Sequence, residues 1–208
     1  MPSVLYLHGF ASSPDSAKIH ALRPLLVPDG IELNTPDLNV PSFEKLDFDA
    51  IVEHALATAR RTPPRAMVGS SLGALVALAV AKRGVLVPLV LIAPALGVAR
   101  RWQSRIPEGD PVMVFNHARQ GDALIHRAFF VQMGSLYVDS DPPPSRITAI
   151  MGRKDETVPF HIVEETWRAW EASGRLAPGS RFIEVEEGDH GLVSHSDVIR
   201  EAIVEAAS

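Results

Sequence analysis

A serine between two glycines is the first feature of the sequence that could do chemistry. Gly69, Ser71 and Gly73 form a Gly-x-Ser-x-Gly pattern between a short apolar run and a long, almost wholly apolar segment. In a sharp strand-to-helix turn, such glycines let neighbouring backbone approach closely, while the serine hydroxyl stands clear of the sheet. The pattern therefore predicts a nucleophilic serine at Ser71, with Ser70 off its centre. A tight turn without chemistry is the alternative interpretation.

Two later loops carry the partners that a nucleophilic serine needs, a base and a carboxylate. His190 lies in the loop 188–191, and an imidazole with an unperturbed pKa of about 6.5 suits proton transfer near neutral pH. Asp155 follows another apolar run and could accept a hydrogen bond from the histidine Nδ1–H, which fixes the tautomer and stabilises the imidazolium. Glu156 is the rival carboxylate and His195 the rival base.

A glycine-containing loop near the start of the chain completes this set of candidates. His8, Gly9 and Phe10 follow the apolar run 4–7, and a backbone N–H in such a loop can bind an oxyanion. Phe10 would supply one donor to an oxyanion hole, and Leu72, directly after the candidate nucleophile, would supply the other. His8 is expected to brace the loop rather than to act in catalysis.

The elements that must position these residues follow from the alternation of short apolar runs with helical patterns. This alternation predicts an α/β fold with parallel strands joined by crossover helices. Because the candidate residues all follow strands, they are expected to meet at the carboxyl edge of the sheet. Strands are expected at 4–7, 31–34, 66–68, 89–92, 147–151 and 181–185, and helices at 16–26, 43–60, 72–83, 160–173 and 196–206.

The stretch from Ala95 to Pro144 breaks the alternation of strands and helices. It is long for a connection between two strands, which predicts an insertion with its own short helices, lying as a cap over the site. Its aromatic residues could line an apolar acyl pocket or form the core of the cap itself. The candidates for the pocket are Trp102, Phe115, Phe129 and Phe130.

Composition and charge narrow the classes of partner. The 208 residues suit a single domain, and the formal net charge of −5 argues against nucleic acid or an anionic membrane as partner. The absence of cysteine excludes disulfides, thiolate metal sites and a cysteine nucleophile. The first residues, 1–9, lack a signal-peptide pattern, and the longest apolar stretch, 85–99, is short and broken by prolines, so a cytoplasmic location is expected.

Motifs for metals and nucleotides are missing from the sequence. No metal-ligand spacing and no phosphate-binding glycine motif is present. We therefore expect no metal and no cofactor, and a small-molecule ester as the partner. The oligomeric state stays open.

With these motifs in place, the chain resembles the α/β-hydrolase superfamily, in which the triad follows the chain order serine, acid, histidine. The opening motif, residues 5–14, and the small size resemble the YqiA-type esterase family of bacteria. The resemblance implies one three-layer domain over 1–208, with a six-stranded parallel sheet in the order 2-1-3-4-5-6 and a small cap insertion at 95–144.

The same resemblance implies a function. It implies a serine hydrolase, a carboxylesterase that cleaves short-to-medium acyl esters through the triad Ser71, His190 and Asp155 and an acyl-enzyme intermediate. Thioester hydrolysis by the same triad is one alternative, and a non-catalytic scaffold that binds a ligand is another. Because such proteins vary most in the insertion, the identity of the substrate does not carry over.

Overall fold

The computed structural model describes residues 3–208 and is built on a parallel sheet. Met1 and Pro2, the start of the stretch inspected for a signal peptide, lie outside the described residues. The strands are β1 (Ser3–Leu7), β2 (Glu32–Asn34), β3 (Ala66–Ser70), β4 (Leu89–Ile92), β5 (Val112–Asn116), β6 (Gly121–Ile125), β7 (Ile147–Gly152) and β8 (Arg181–Val185). Six of them form the sheet in the order β2-β1-β3-β4-β7-β8, with every neighbouring pair parallel. The fifth and sixth predicted strands, at 147–151 and 181–185, correspond to β7 and β8, so the predicted strand order is confirmed.

Seven α-helices occur in the described residues, and the five whose bounds were predicted match them to within one residue, except at the start of the second. They are α1 (Ala17–Leu26), α2 (Phe48–Arg61), α3 (Leu72–Lys82), α4 (Val98–Trp102), α5 (Arg127–Gly134), α6 (Phe160–Ser173) and α7 (Ser196–Ala207). Helix α2 begins five residues later than predicted because Asp47 caps it, accepting a hydrogen bond from Ala50 N at 2.8 Å. None of the helices in residues 3–208 is long and apolar enough to cross a bilayer.

The core lies between the sheet and its covering helices. Strands β3 and β4 are buried throughout, and so is α3 from Leu72 to Ala81. A helix that is apolar on all sides is stable only in such a position. Helix α3 therefore has a fixed place against the sheet, and the turn that leads into it is fixed as well.

The segment between β4 and β7 differs from the prediction. Short helices α4 and α5 are present, but β5 and β6 also form an antiparallel hairpin that the sequence analysis missed. Burial alternates along both strands of the hairpin, yet polarity does not, because Met113, Phe115 and Leu124 are apolar on the exposed face. The strand signal of alternating polar and apolar residues was therefore hidden. That residues 1–208 form a single domain with a cap stays a prediction.

Candidate active site

The turn between β3 and α3 places Ser71 in a strained conformation at the edge of the sheet. Its φ of 55° and ψ of −116° lie in a region that residues with a side chain rarely adopt. The surrounding backbone holds this conformation, since Ser71 N donates to Ile92 O at 2.9 Å and Ser71 O accepts from Ala95 N at 3.2 Å. Strain of this kind persists only where the neighbouring structure enforces it.

The two glycines that flank Ser71 are required by close backbone contacts. A Cβ atom at Gly73 would lie 2.0 Å from Leu7 O, and one at Gly69 would lie 2.4 Å from Gly73 O. Neither position has room for any side chain. The turn connects β3 to α3 and packs against the end of β1. The two glycines of the Gly-x-Ser-x-Gly pattern are thus required by packing.

His190 and Asp155 are hydrogen-bonded to each other. His190 Nδ1 lies 2.7 Å from Asp155 Oδ2, and Asp155 Oδ1 accepts from the backbone N–H groups of Thr157 and Val158 at 2.8 and 2.7 Å. The Asp155 carboxylate is buried, so these bonds compensate for its lost hydration and fix its orientation. An ionised carboxylate only accepts, so Nδ1 carries the proton and Nε2 is left free to accept one.

The loops that carry Asp155 and His190 are packed directly on each other. A Cβ at Gly152 would lie 2.2 Å from Gly188 O, and Lys154 N donates to the same carbonyl at 2.9 Å. Asp189 Oδ1 accepts from Leu192 N at 2.7 Å and so closes the turn around the histidine. These backbone contacts set the distance between the carboxylate and the imidazole.

Ser71 and His190 both line one cavity of about 540 Å³, a size typical of sites for small molecules. Of the four aromatic residues expected at a pocket, Trp102, Phe115 and Phe129 line this cavity. Phe130 is not among the residues that line it. Its ring stacks on Trp102 with centroids 5.2 Å apart, so it supports the aromatic wall from behind.

Phe10 and Leu72, the candidate oxyanion-hole residues, also line the cavity. Leu72 is the first residue of α3, where backbone N–H groups have no intrahelical acceptor and the helix dipole is positive. The Phe10 loop passes against the candidate nucleophile, because a Cβ at Gly9 would lie 3.2 Å from Ser71 Cβ. Both candidate donors therefore belong to backbone that borders the serine.

His8 braces this loop from within the core. Its Nε2 accepts from Leu38 N at 3.0 Å, and its Nδ1 lies 2.9 Å from Gly9 O. Burial lowers the pKa of His8, which keeps the ring neutral and suited to this pair of bonds. The side chain thus holds two backbone segments together, as expected for a bracing residue.

Of the rival candidates, Glu156 and His195 lie outside the cavity lining, whereas Ser70 lines the cavity beside Ser71. Glu156 is exposed, and His195 Nδ1 lies 3.1 Å from the neighbouring Ser194 Oγ. Ser70 is buried, and its hydroxyl accepts a hydrogen bond from Lys18. Within residues 3–208, no group of three or more histidine or acidic side chains is arranged to hold a metal.

Lys18 is the residue at this site that the sequence analysis missed. It is buried, it lines the cavity, and its Nζ lies 2.9 Å from Ser70 Oγ. A signal was present, because Lys18, Leu22 and Leu26 recur at intervals of four, which places all three on one helix face. The two leucines are buried, so the lysine had to lie on the inner face of α1.

Solved structures with the same fold include several enzymes. Est1E from Butyrivibrio proteoclasticus, in complex with ferulic acid, superposes with a TM-score of 0.77 and 16% identity, covering 99% of this chain and 89% of that chain. Mouse alpha/beta hydrolase domain-containing protein 10 has a TM-score of 0.75 and 19% identity, covering 99% and 89%. A monoacylglycerol lipase from Paleococcus ferrophilus has a TM-score of 0.75 and 14% identity, covering 99% and 93%. At these identities the likeness confirms the three-layer α/β-hydrolase fold.

Comparison of the amino-acid sequence with known proteins and protein families identifies the family of this chain. No curated protein has significant sequence similarity to the chain. The family described as "Uncharacterised protein family (UPF0227)" matches residues 3–204, nearly the full length. This confirms the resemblance drawn from the opening motif: the chain belongs to UPF0227, the YqiA-type family, with an α/β-hydrolase fold.

Proposed function

We propose that this protein is a serine hydrolase that cleaves carboxylic esters, with Ser71 as nucleophile, His190 as general base and Asp155 as the orienting carboxylate. One observation carries the proposal. His190, bonded to a buried carboxylate at 2.7 Å, lines the same cavity as the strained serine. A base oriented by a third group beside a serine hydroxyl is the arrangement that activates serine as a nucleophile.

The first half of the reaction forms the acyl-enzyme. Ser71 Oγ attacks the ester carbonyl carbon while His190 Nε2 takes the hydroxyl proton, and the carbonyl oxygen becomes an oxyanion. The backbone N–H groups of Phe10 and Leu72 donate to this oxyanion. Collapse of the tetrahedral intermediate breaks the bond to the alcohol, which leaves with the proton from His190.

The second half releases the acid. Water enters beside the acyl-enzyme, His190 takes one of its protons, and the hydroxide attacks the acyl carbon. The new oxyanion is bound by the same two N–H groups, and collapse returns the proton to Ser71 Oγ. Throughout, Asp155 accepts the hydrogen bond from Nδ1 and stabilises the imidazolium without taking its proton.

The walls of the cavity support our proposal of a short-to-medium acyl chain. Trp102, Phe129 and Met133 offer a mostly apolar surface, and Phe10 stacks on Phe129 with centroids 5.6 Å apart. Apolar walls with a few polar groups at one end suit an alkyl or aryl ester. Two solved structures of the same fold support the same reaction class: the esterase domain of a Rhodothermus marinus protein, with a TM-score of 0.72 and 14% identity, and the monoacylglycerol lipase from Paleococcus ferrophilus.

The test is ester turnover by Ser71→Ala beside the wild type, with Ser194→Ala as the matched control on an exposed serine. We expect Ser71→Ala to lower kcat by about 10⁴- to 10⁶-fold, while Ser194→Ala keeps wild-type turnover. A fluorophosphonate probe should label wild type and Ser194→Ala at Ser71, as read by mass spectrometry. Undiminished turnover by folded Ser71→Ala, or no labelling of the wild type, would refute the proposal.

Ester and thioester substrates are separated by a second measurement. The same proteins are assayed with p-nitrophenyl esters and with acyl-CoA thioesters of equal acyl length. We expect a higher kcat/KM with the oxygen esters. A preference for the thioesters, abolished by Ser71→Ala, would keep the triad but replace the esterase by a thioesterase.

A further inference from the structure

The charged residues that line the cavity are of one sign. Lys18 and Arg101 line it, and no aspartate or glutamate of the described chain does. The protein as a whole carries a net charge of −5. A cavity lining with two cationic side chains and no acidic one is therefore opposite in sign to the net charge of the protein. A lining of this kind favours anionic over cationic ligands.

Lys18 is the cation that is buried. It is 8% exposed, and its Nζ donates to Ser70 Oγ at 2.9 Å. An ammonium group has three N–H donors, so this bond leaves donors for a further partner. Burial lowers the pKa of Lys18 to about 8, while Asp155 and Asp189 act in the opposite direction. The charged form is thus retained near neutral pH at a cost in desolvation.

The two nearby carboxylates are engaged elsewhere. Asp155 binds His190 and two backbone N–H groups, and Asp189 binds Leu192 N. No salt bridge joins either of them to Lys18 within residues 3–208. A buried ammonium without an adjacent counter-ion is unfavourable for stability, and a ligand anion placed beside it would relieve this penalty.

The position of Lys18 at the start of α1 also favours an anion beside it. It is the second residue of α1, where the positive end of the helix dipole disfavours a cation. Ser16 and Ala17, at the same helix end, also line the cavity. The lysine therefore adds positive charge where the helix end already favours an anion, an arrangement that costs helix stability.

Arg101 lies on the insertion side of the same cavity. Its guanidinium donates to Thr157 O at 2.6 Å, next to the loop that carries Asp155. This bond orients the side chain, and within residues 3–208 the other guanidinium N–H groups of Arg101 make no hydrogen bond to the protein. Arg101 thus adds a second, more accessible positive charge to the cavity.

We propose that the substrate is an ester that itself carries an anionic group, such as a carboxylate, which pairs with the Lys18 ammonium inside the cavity. This inference rests on the proposed hydrolase function and specifies its substrate class. The apolar part of the substrate packs against the aromatic wall. The anion replaces water at Lys18 and holds the ester carbonyl near Ser71.

The test uses substrate pairs in which a carboxylate replaces a methyl group. Monomethyl adipate and methyl hexanoate differ in this way at the end of the acyl chain. Para-acetoxybenzoate and para-tolyl acetate differ in the same way on the leaving group. Hydrolysis of all four is followed by pH-stat titration. We expect the wild type to favour the charged member of at least one pair by about tenfold or more in kcat/KM. The pair that shows this preference identifies whether the acyl chain or the leaving group contacts Lys18.

The variant is Lys18→Met, which keeps an unbranched side chain, one atom shorter, and removes the charge. Its matched control is Lys45→Met, the same change at an exposed lysine outside the cavity. We expect Lys18→Met to lose the preference for the charged ester by about tenfold, with turnover of the neutral ester within about threefold of wild type. Lys45→Met should retain the preference. Equal losses on both members of a pair would mean that Lys18 positions the serine loop, and would overturn the proposal.

A measurement on the wild type makes the test independent of how the variant folds. Because kcat/KM reports the free enzyme, the preference for the charged ester should be present below pH 8 and fall as Lys18 loses its proton above about 8. The other charged or titratable groups around Lys18 are Asp155 and Asp189, which act on it electrostatically, and Arg101 and His190, which line the same cavity. An effect of pH on the chemical step is expected to be shared by both esters and to cancel in the ratio of their kcat/KM values.

The outcomes separate this inference from the proposed function. Turnover of all four esters that depends on Ser71 but shows no preference for charge, at any pH, overturns the anionic-substrate proposal and leaves the hydrolase intact. Turnover that does not depend on Ser71 refutes the hydrolase itself.

Discussion

The cavity has two sides that are built in different ways. On the sheet-edge side, the chain approaches itself so closely that a methyl group does not fit at Gly73 or Gly152. On the insertion side, the hairpin β5–β6 exposes Met113 and Leu124 to solvent, and a Cβ at Gly121 would have no neighbour nearer than 3.9 Å. The sheet-edge side has no space for a side chain at these glycines. The hairpin on the insertion side has free space around it.

Backbone strain follows the same division. Among the described residues other than glycine, Ala11, Ser71, Ala93 and Leu192 have positive φ and lie in loops at the carboxyl edge of the sheet, whereas the fifth, Gln120, lies in the hairpin turn. Strain persists where the surroundings over-determine a conformation, as they do at the sheet edge. The proposed chemistry therefore depends on the rigid sheet-edge side, while the insertion side can vary and so influence which substrate fits.

The largest effect is expected from Asp155→Asn, which alters the rigid side without changing its shape. The backbone bonds from Thr157 and Val158 can persist, but an amide N–H₂ facing His190 favours the wrong imidazole tautomer. We expect kcat to fall about 10³- to 10⁴-fold. Ester hydrolysis assays on Asp155→Asn and on Glu156→Gln, the exposed neighbour, measure the contrast. Equal activities of the two variants would contradict the assignment of Asp155.

An intermediate effect is expected from Gly9→Ala. The new methyl would lie 3.2 Å from Ser71 Cβ and 3.3 Å from Ser70 O, so the loop that carries Phe10 must shift. Displacements of this order at reacting groups lower kcat by about tenfold to hundredfold. The matched control is Gly121→Ala in the hairpin, for which we expect turnover within about twofold of wild type. If Gly121→Ala lowers kcat as much as Gly9→Ala, with both proteins folded by circular dichroism, the two sides do not differ as described.

The smallest effect is expected from Trp102→Ala on the insertion side. The change removes apolar surface from the cavity wall and from the stack with Phe130, which should raise KM for a hexanoate ester about tenfold, with a smaller rise for an acetate ester. Steady-state kinetics with both esters test this, beside Met113→Ala, whose side chain is 66% exposed on the hairpin. A fall in kcat equal for both esters would place Trp102 in the chemistry rather than in substrate selection.

Much of the molecule could be predicted from the residues alone. The strands at 89–92 and 181–185 and the helix at 160–173 have the expected bounds, since long apolar or periodic runs leave little choice of structure. The side chains of His190 and Asp155 also meet, because parallel strands bring their carboxyl ends to one edge. The hairpin β5–β6 could not be predicted in this way, because Met113 and Leu124 carry apolar residues to its exposed face.

By itself, the sequence determined the class of fold and the residue types available for chemistry, because burial periodicity and glycine spacing are local properties of the chain. Only the tertiary structure decided that Lys18 lines the cavity and donates a hydrogen bond to Ser70, which lies 52 residues further along the chain. It also decided that Phe130 supports the wall while Phe129 faces the cavity. The physical reason is that the surroundings of a side chain depend on contacts between distant segments, which no local pattern encodes.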